Sequence, residues 1–266
     1  IGDPDAPQSV LNHAKKVNEL VASSDKKQAS NKIKVRNKDF IIEPQSSPDG
    51  QKSHNGLWQY VEYIKVTNNS KFSLSNLIPT NIPQDNVATA LMVLKQLGVN
   101  LTTTKVNLLI EQTKVAGRTE IFKKNDLKRC EQTDSNIQQH CDVMLDVGHN
   151  PHAGRYLAGQ LAKFKAQGRY NRIIAVVSML ADKDIRNTLA PFNTIIDEWH
   201  VAPLTVPRAA TSAQMVVELT SITNSINCFD NITQAFKMAN RKAEFTDLIL
   251  VFGSFFTVAE IRQLLI

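Results

Sequence analysis

The chain has 266 residues, 42% of them hydrophobic, and a formal net charge of +6, enough for an ordinary packed core in one large domain or two. No apolar run approaches the roughly 20 residues that span a bilayer, and no basic stretch followed by an apolar one opens the chain, so a cytoplasmic location without a membrane partner is expected. Cys130, Cys141 and Cys228 are an odd set without C-x-x-C spacing, which argues against a disulfide framework or a zinc site.

The basic residues are dispersed and the aromatics few, so nucleic acid is not an expected partner. Anionic small substrates such as nucleotides, or no ligand at all, account for the charge equally well. Ile1 stands where an unprocessed chain would carry methionine, which implies processing or truncation.

In chain order, "IGDPDAP" reads as a loop. Val10, Leu11, Ala14, Val17, Leu20 and Val21 then recur at helical spacing, an amphipathic helix in need of a partner. Residues 23–57 are mostly polar apart from "FII" at 40–42. Within them "SSPDGQKSHNG" reads as a turn or mobile loop between strands, and "LWQYVEYIKV", which follows, alternates as a strand. Over 86–97, "NVATALMVLKQL" is apolar on nearly every face except at Lys95 and Gln96, which predicts a deeply buried helix. This front portion has too few long apolar strands for a parallel sheet. Part of its core is therefore expected to be absent, leaving residues 1–110 mobile or paired with another copy.

After "AGRTEIF" at 116–122 the character changes. Apolar strands are predicted at 143–146, 172–178, 197–202, 226–229 and 247–252, alternating with helices near 151–166, 184–192, 212–221 and 231–243 and a last one from about 256. Such alternation indicates an α/β domain, a mostly parallel Rossmann-like sheet covered on both faces. The expected division is 1–115 and 116–266.

The stretch "MLDVGHNPHAGRYL" at 144–157 joins a strand to a helix. Gly148 permits a tight turn, Asn150 is a good N-cap, and Pro151 fits the first helical position, where its missing N–H costs nothing. In an open parallel sheet that turn lies at the carboxyl edge, where ligands bind and a helix start attracts anions. Asp146, His149 and Asn150 belong to this edge, as do "SMLADKD" at 178–184, "APLTVPRAAT" at 202–211 and "GSFFT" at 253–257.

Taken singly, each residue has an ordinary explanation. Asp146 can cap a turn, His149 can be a hydrogen-bonded loop residue, and Lys183 can belong to a solvated ion cluster. Arg208 can be plain surface, and Ser254 can cap a helix. Their shared position at strand ends favours a small-molecule site. The chain has no G-x-x-x-x-G-K-[ST], no G-x-G-x-x-G after a strand and no H-E-x-x-H.

With these motifs in hand, the sequence resembles the bifunctional dihydrofolate synthase/folylpolyglutamate synthase family of the Mur ligase superfamily. "IGDPDAP", "PQDNVATAL", "AGRTEIF", "LDVGHNPHA", "VVSMLADKD", "DEWHVAPLTVPRAAT" and "VFGSFFTVAE" carry the resemblance, in the family's order and from the first residue to the last. Family members begin earlier, with a P-loop and the magnesium ligands. The resemblance therefore implies the end of a central ATPase domain followed by a complete C-terminal domain, a fragment inactive alone and without metal ligands of its own.

It also implies ATP and Mg2+ as cofactors and a ligase that activates a folate or dihydropteroate carboxylate as an acyl phosphate and joins L-glutamate to it. The full-length protein would be a monomer. Residue by residue, Asn86, Arg118 and Asp146 match positions that bind ATP, with Asn150 in the same element as Asp146. An amide suits an adenine edge, a guanidinium a phosphate, and a carboxylate ribose hydroxyls. His149 is expected to face the reacting phosphate or the incoming glutamate, and Lys183, Ser254 and Arg208 to take glutamate's carboxylates.

Phe256 stands where the family frequently has histidine, and Ser178, Gly148, Ala116 and Asp85 also depart from its pattern. Two other readings remain. A cell-wall Mur-type ligase is disfavoured by "DVGHNPH", where those enzymes usually carry a lysine-containing element, and a noncatalytic nucleotide-binding module is supported only by the missing P-loop.

Overall fold

The computed structural model describes residues 6, 8–24, 34–37, 39–44, 56–63, 70–80, 82–124 and 140–266. Cys130, most of "IGDPDAP" and nearly all of "SSPDGQKSHNG" lie outside them. Contacts divide the chain into two compact units, Ile1–Thr113 and Lys114–Ile266.

In the first unit, helix α1 (Gln8–Ser24) precedes a three-stranded antiparallel sheet of β1 (Phe40–Pro44), β2 (Trp58–Tyr63) and β3 (Ser70–Leu77), and α2 (Gln84–Gln96) and α3 (Thr103–Gln112) follow. Phe40, Trp58, Tyr60, Leu74 and Leu77 pack with Val87, Leu91 and Met92 of α2 and Val106 of α3 in one core. The Trp58 indole donates to the Ile78 carbonyl at 2.7 Å, and the buried Glu62 carboxylate is paired with Lys95 and, at 3.6 Å, with Lys34.

The helix expected over 86–97 is present, but it is not buried on nearly every face. Val87, Ala88, Leu91 and Met92 form a single buried stripe, whereas Val93 is 53% and Leu97 74% exposed. A single sheet layer covers one side of a helix, and residue hydrophobicity does not say how many sides have neighbours.

The second unit is an α/β sandwich. Its strands are β4 (Glu120–Phe122), β5 (Asp142–Asp146), β6 (Ile173–Val177), β7 (Glu198–Val201), β8 (Ile226–Cys228) and β9 (Leu248–Phe252). They form one six-stranded sheet in the order β4-β5-β9-β6-β7-β8. All neighbours run parallel except β4, an antiparallel edge strand on β5 that the sequence reading did not single out. The connecting helices are α4 (Pro151–Ala166), α5 (Ile185–Leu189), α6 (Ser212–Leu219), α7 (Ile232–Lys242) and α8 (Phe255–Arg262).

Period-two alternation sends side chains to two cores. Met144, Ile173, Ala175, Val177, Leu250 and Phe252 meet α4, α5 and α6 on one face. Val143, Leu145, Ile174, Val176, Ile249 and Val251 meet α7 and α8 on the other. Each large aliphatic side chain so enclosed contributes roughly 1.5–3 kcal/mol of burial. Gly154 lets α4 approach α5 closely, since a Cβ there would run into the Thr188 carbonyl.

This topology positions the site. The helix after β5 covers one face and the helix after the adjacent β9 covers the other. The two chain directions therefore part at the carboxyl ends of β5 and β9, a switch point of the kind at which open α/β sheets bind ligands.

Candidate functional site

Asp146 ends β5 and is 6% exposed. Its Oδ2 accepts the Thr119 N–H at 2.9 Å and its Oδ1 the Gly148 N–H at 2.7 Å. Burial pushes the carboxyl above its ordinary range, against those two amides and the nearby Arg118 charge. Tyr156 on α4 feels the same environment, its phenol pushed up to about 12 by burial and then by the Asp146 charge. Asp146 thus fastens two loops together, and each of its oxygens keeps acceptor capacity beyond the one amide it holds.

One of those loops carries Arg118. Among the described residues Arg118 forms no ion pair, and its guanidinium lies 5.8 Å from the centre of the Phe255 ring. The same ring is 6.0 Å from the imidazole of His149. Phe255, the first residue of α8, is 60% exposed and stands about 6 Å from a cation and an imidazole supplied by other elements, within reach of a cation–π contact. The sequence reading noted Phe256, not Phe255.

His149 Nδ1 lies 2.8 Å from the Val147 carbonyl oxygen, which can only accept, so Nδ1 carries the hydrogen and a neutral ring presents Nε2 as an acceptor. Asn150 caps α4, its Oδ1 accepting the Ala153 N–H at 2.9 Å, with Pro151 next as the sequence predicts. Ser254 caps α8 in the same way, is 3% exposed, and shares its hydroxyl with Thr257, which donates on to the Ser178 carbonyl. Gly253, at φ +111°, makes that turn possible, since a Cβ would stand 2.5 Å from the Ser178 carbonyl oxygen.

Lys183 and Arg208, far apart in sequence, meet at Asp182. Lys183 Nζ is 3.1 Å and Arg208 Nη1 3.7 Å from its Oδ2. Backbone bonds from Ala181 N–H to Arg208 O and from Ala210 N–H to Met179 O draw the loops after β6 and β7 together. The Lys183 hydrogen bond, ahead of any other influence, lowers the Asp182 carboxyl. Lys183 also lines an open cleft of about 370 Å³ with Asp184, Arg186, Gln214 and Glu218.

Asn86 belongs to the first unit. It is exposed at the start of α2 and lines an apolar groove of about 240 Å³ with Ile82, Val87, Leu91, Val106 and Ile110. Among the described residues Cys141, which is buried, and Cys228, which is exposed, are not in disulfides, and no helix is long and apolar enough to cross a membrane.

Residues 128–255 match the family described as "Mur ligase, glutamate ligase domain". A dihydrofolate synthase/folylpolyglutamate synthase of Escherichia coli (strain K12) is 35% identical over 193 residues, 73% of this chain and 40% of that protein. The solved structure of E. coli FolC in complex with DHPP and ADP is 29% identical with a TM-score of 0.68, covering 98% of this chain and 51% of that one. A bifunctional folylpolyglutamate synthase/dihydrofolate synthase with Mn, AMPPNP and L-glutamate bound gives a TM-score of 0.70 at 27% identity, covering 98% and 52%.

The chain thus spans about half the length of the relatives it matches. Residues 128–255 are similar to the glutamate ligase domain of Mur ligases, within a chain similar along nearly its whole length to dihydrofolate synthase/folylpolyglutamate synthases.

Proposed function

We propose that this chain is the latter part of an ATP-dependent ligase that joins L-glutamate to the carboxylate of a folate or dihydropteroate, serving dihydrofolate synthesis and folate polyglutamylation. Residues 1–115 are the end of its central ATP-binding domain and 116–266 its glutamate ligase domain. The observation that carries this reading is the Arg118–Phe255–His149 corner at the β5/β9 switch point. It occurs in a chain whose structural relatives are described with ADP and DHPP, or with AMPPNP, Mn and L-glutamate.

ATP, when bound, supplies the phosphoryl group that gives the carboxylate a leaving group. Arg118, a cation that forms no ion pair among the described residues although its charge is felt at Asp146, takes a phosphate. Asp146 takes ribose hydroxyls with the acceptor capacity its two amides leave, and Asn150 fixes the start of α4. Asn86, in the first unit, is assigned to adenine by its match to the family's motif alone.

The open Nε2 of His149 accepts the proton that glutamate's ammonium must lose before attack. Lys183 and Arg208, joined through Asp182, hold glutamate carboxylates, and Ser254 acts from the start of α8. By the family resemblance alone, magnesium is assigned to residues outside this chain. The full-length protein is a cytoplasmic monomer, and the 266-residue chain, which has no P-loop, does not turn over alone.

A ligation assay tests this, with dihydropteroate, ATP, magnesium and labelled glutamate, following ADP and product mass. The full-length protein should form dihydrofolate and the 266-residue chain should not. Absence of product from the full-length protein would remove the folate assignment, and turnover by the chain alone would overturn its reading as an incomplete enzyme.

A further inference from the structure

The backbone around Arg118 is fixed on both sides. Gly117, at φ +66°, donates its N–H to Glu120 Oε2 at 2.7 Å, and its carbonyl accepts the Val147 N–H at 2.8 Å. Thr119, at φ 43°, occupies a left-handed conformation that a β-branched residue adopts only under constraint, and its N–H is held by Asp146.

Glu120 is in turn gripped by Arg262 at the far end of α8. The Arg262 Nε reaches both carboxylate oxygens, at 3.2 and 3.0 Å, and its Nη2 reaches Oε1 at 3.0 Å. This is the planar fork that arginine makes and lysine does not. Both side chains are partly exposed, so the pair by itself adds little stability. Its other output is the bond from Glu120 to the amide immediately before Arg118.

We propose that Glu120 and Arg262 are a positioning pair for Arg118, holding its turn in the shape that presents the guanidinium to a nucleotide phosphate before the nucleotide arrives. The inference rests on the nucleotide role given to Arg118 above. A preformed turn spares the ordering cost that binding would otherwise carry. A fork from α8 also ties the turn to the helix whose first residue, Phe255, faces the Arg118 guanidinium.

The test is ADP affinity, measured by calorimetry on the full-length protein with Arg118→Ala, Glu120→Gln, Arg262→Lys and the Arg118→Ala/Glu120→Gln pair. Amide exchange at Gly117 and Thr119 is followed without nucleotide, and thermal midpoints are taken for each variant. Glu120→Gln and Arg262→Lys should each weaken ADP roughly tenfold and speed exchange at both amides. The double variant should bind no more weakly than Arg118→Ala alone, because both changes act through one guanidinium.

Additive losses, or a lower thermal midpoint with ADP affinity unchanged, would make the pair merely structural and overturn the proposal while leaving the role of Arg118 intact. Unchanged affinity in Arg118→Ala would overturn both.

Discussion

The Nδ1 of His149 donates to the Val147 carbonyl two residues back in the chain. That bond fixes the tautomer and aims Nε2 away from the turn, as a general base needs. His149→Ala should therefore lower kcat by about 10²–10⁴ while ADP affinity stays near that of the unsubstituted protein. A change in ADP affinity with kcat preserved would reassign His149 to nucleotide binding.

Asp182 joins Lys183 and Arg208. Lys183→Ala should raise KM for glutamate and leave ADP affinity unchanged, and Arg208→Ala should do the same more weakly, because its side chain is 68% exposed. Steady-state kinetics with glutamate varied at saturating ATP separates the two. An effect confined to ATP would detach this cluster from glutamate.

Gly253 holds φ +111°, with the Ser178 carbonyl 2.5 Å from where a Cβ would stand. The obstacle is backbone and cannot swing aside. Gly253→Ala should cost about 1–3 kcal/mol from the conformation alone, with the clash added, read as a lower urea midpoint at unchanged slope. A midpoint matching the unsubstituted protein would show that the turn relaxes freely.

Asp142 accepts from Lys123 Nζ at 2.6 Å, the Tyr170 hydroxyl at 2.7 Å and the Lys124 N–H at 3.3 Å. Burial pushes its carboxyl up, but these donors outweigh burial and hold it below the usual carboxylate range. A carboxyl lowered on folding gives stability that is present above the unfolded pKa of about 3.9 and is lost as pH falls through the folded value. Asp142→Asn should flatten this acid limb in a series of urea melts at different pH, and an unchanged limb would mean that other carboxyls carry it. Asp146 has the opposite sign. Its raised carboxyl costs stability as pH rises from the ordinary value through the raised one, so it adds no acid loss.

The parts of the fold that were legible in the sequence are those with local causes. Asn150 and Pro151 announce α4, and the runs at 143–145, 173–177 and 248–252 are too apolar to be anything but buried. β4 escaped because three residues on an antiparallel edge offer no alternation to read, and α3 because its threonine-rich start, where Thr102 caps the helix, reads equally as a turn.

Long-range partners were invisible for a different reason. Phe255 becomes significant only when β9 inserts beside β5 and brings it to Arg118 and His149, and the Glu120–Arg262 fork depends on the same insertion. Ser254 shows the converse. Its capping role was legible locally, and the structure finds that role filled.

Whether nucleotide binds at the β5/β9 switch point is read by amide hydrogen exchange of the full-length protein with and without ADP. Binding there should slow exchange at 117–119 and 146–150 on adding ADP, and Arg118→Ala should abolish that slowing. ADP-dependent protection that leaves both segments unchanged would contradict it.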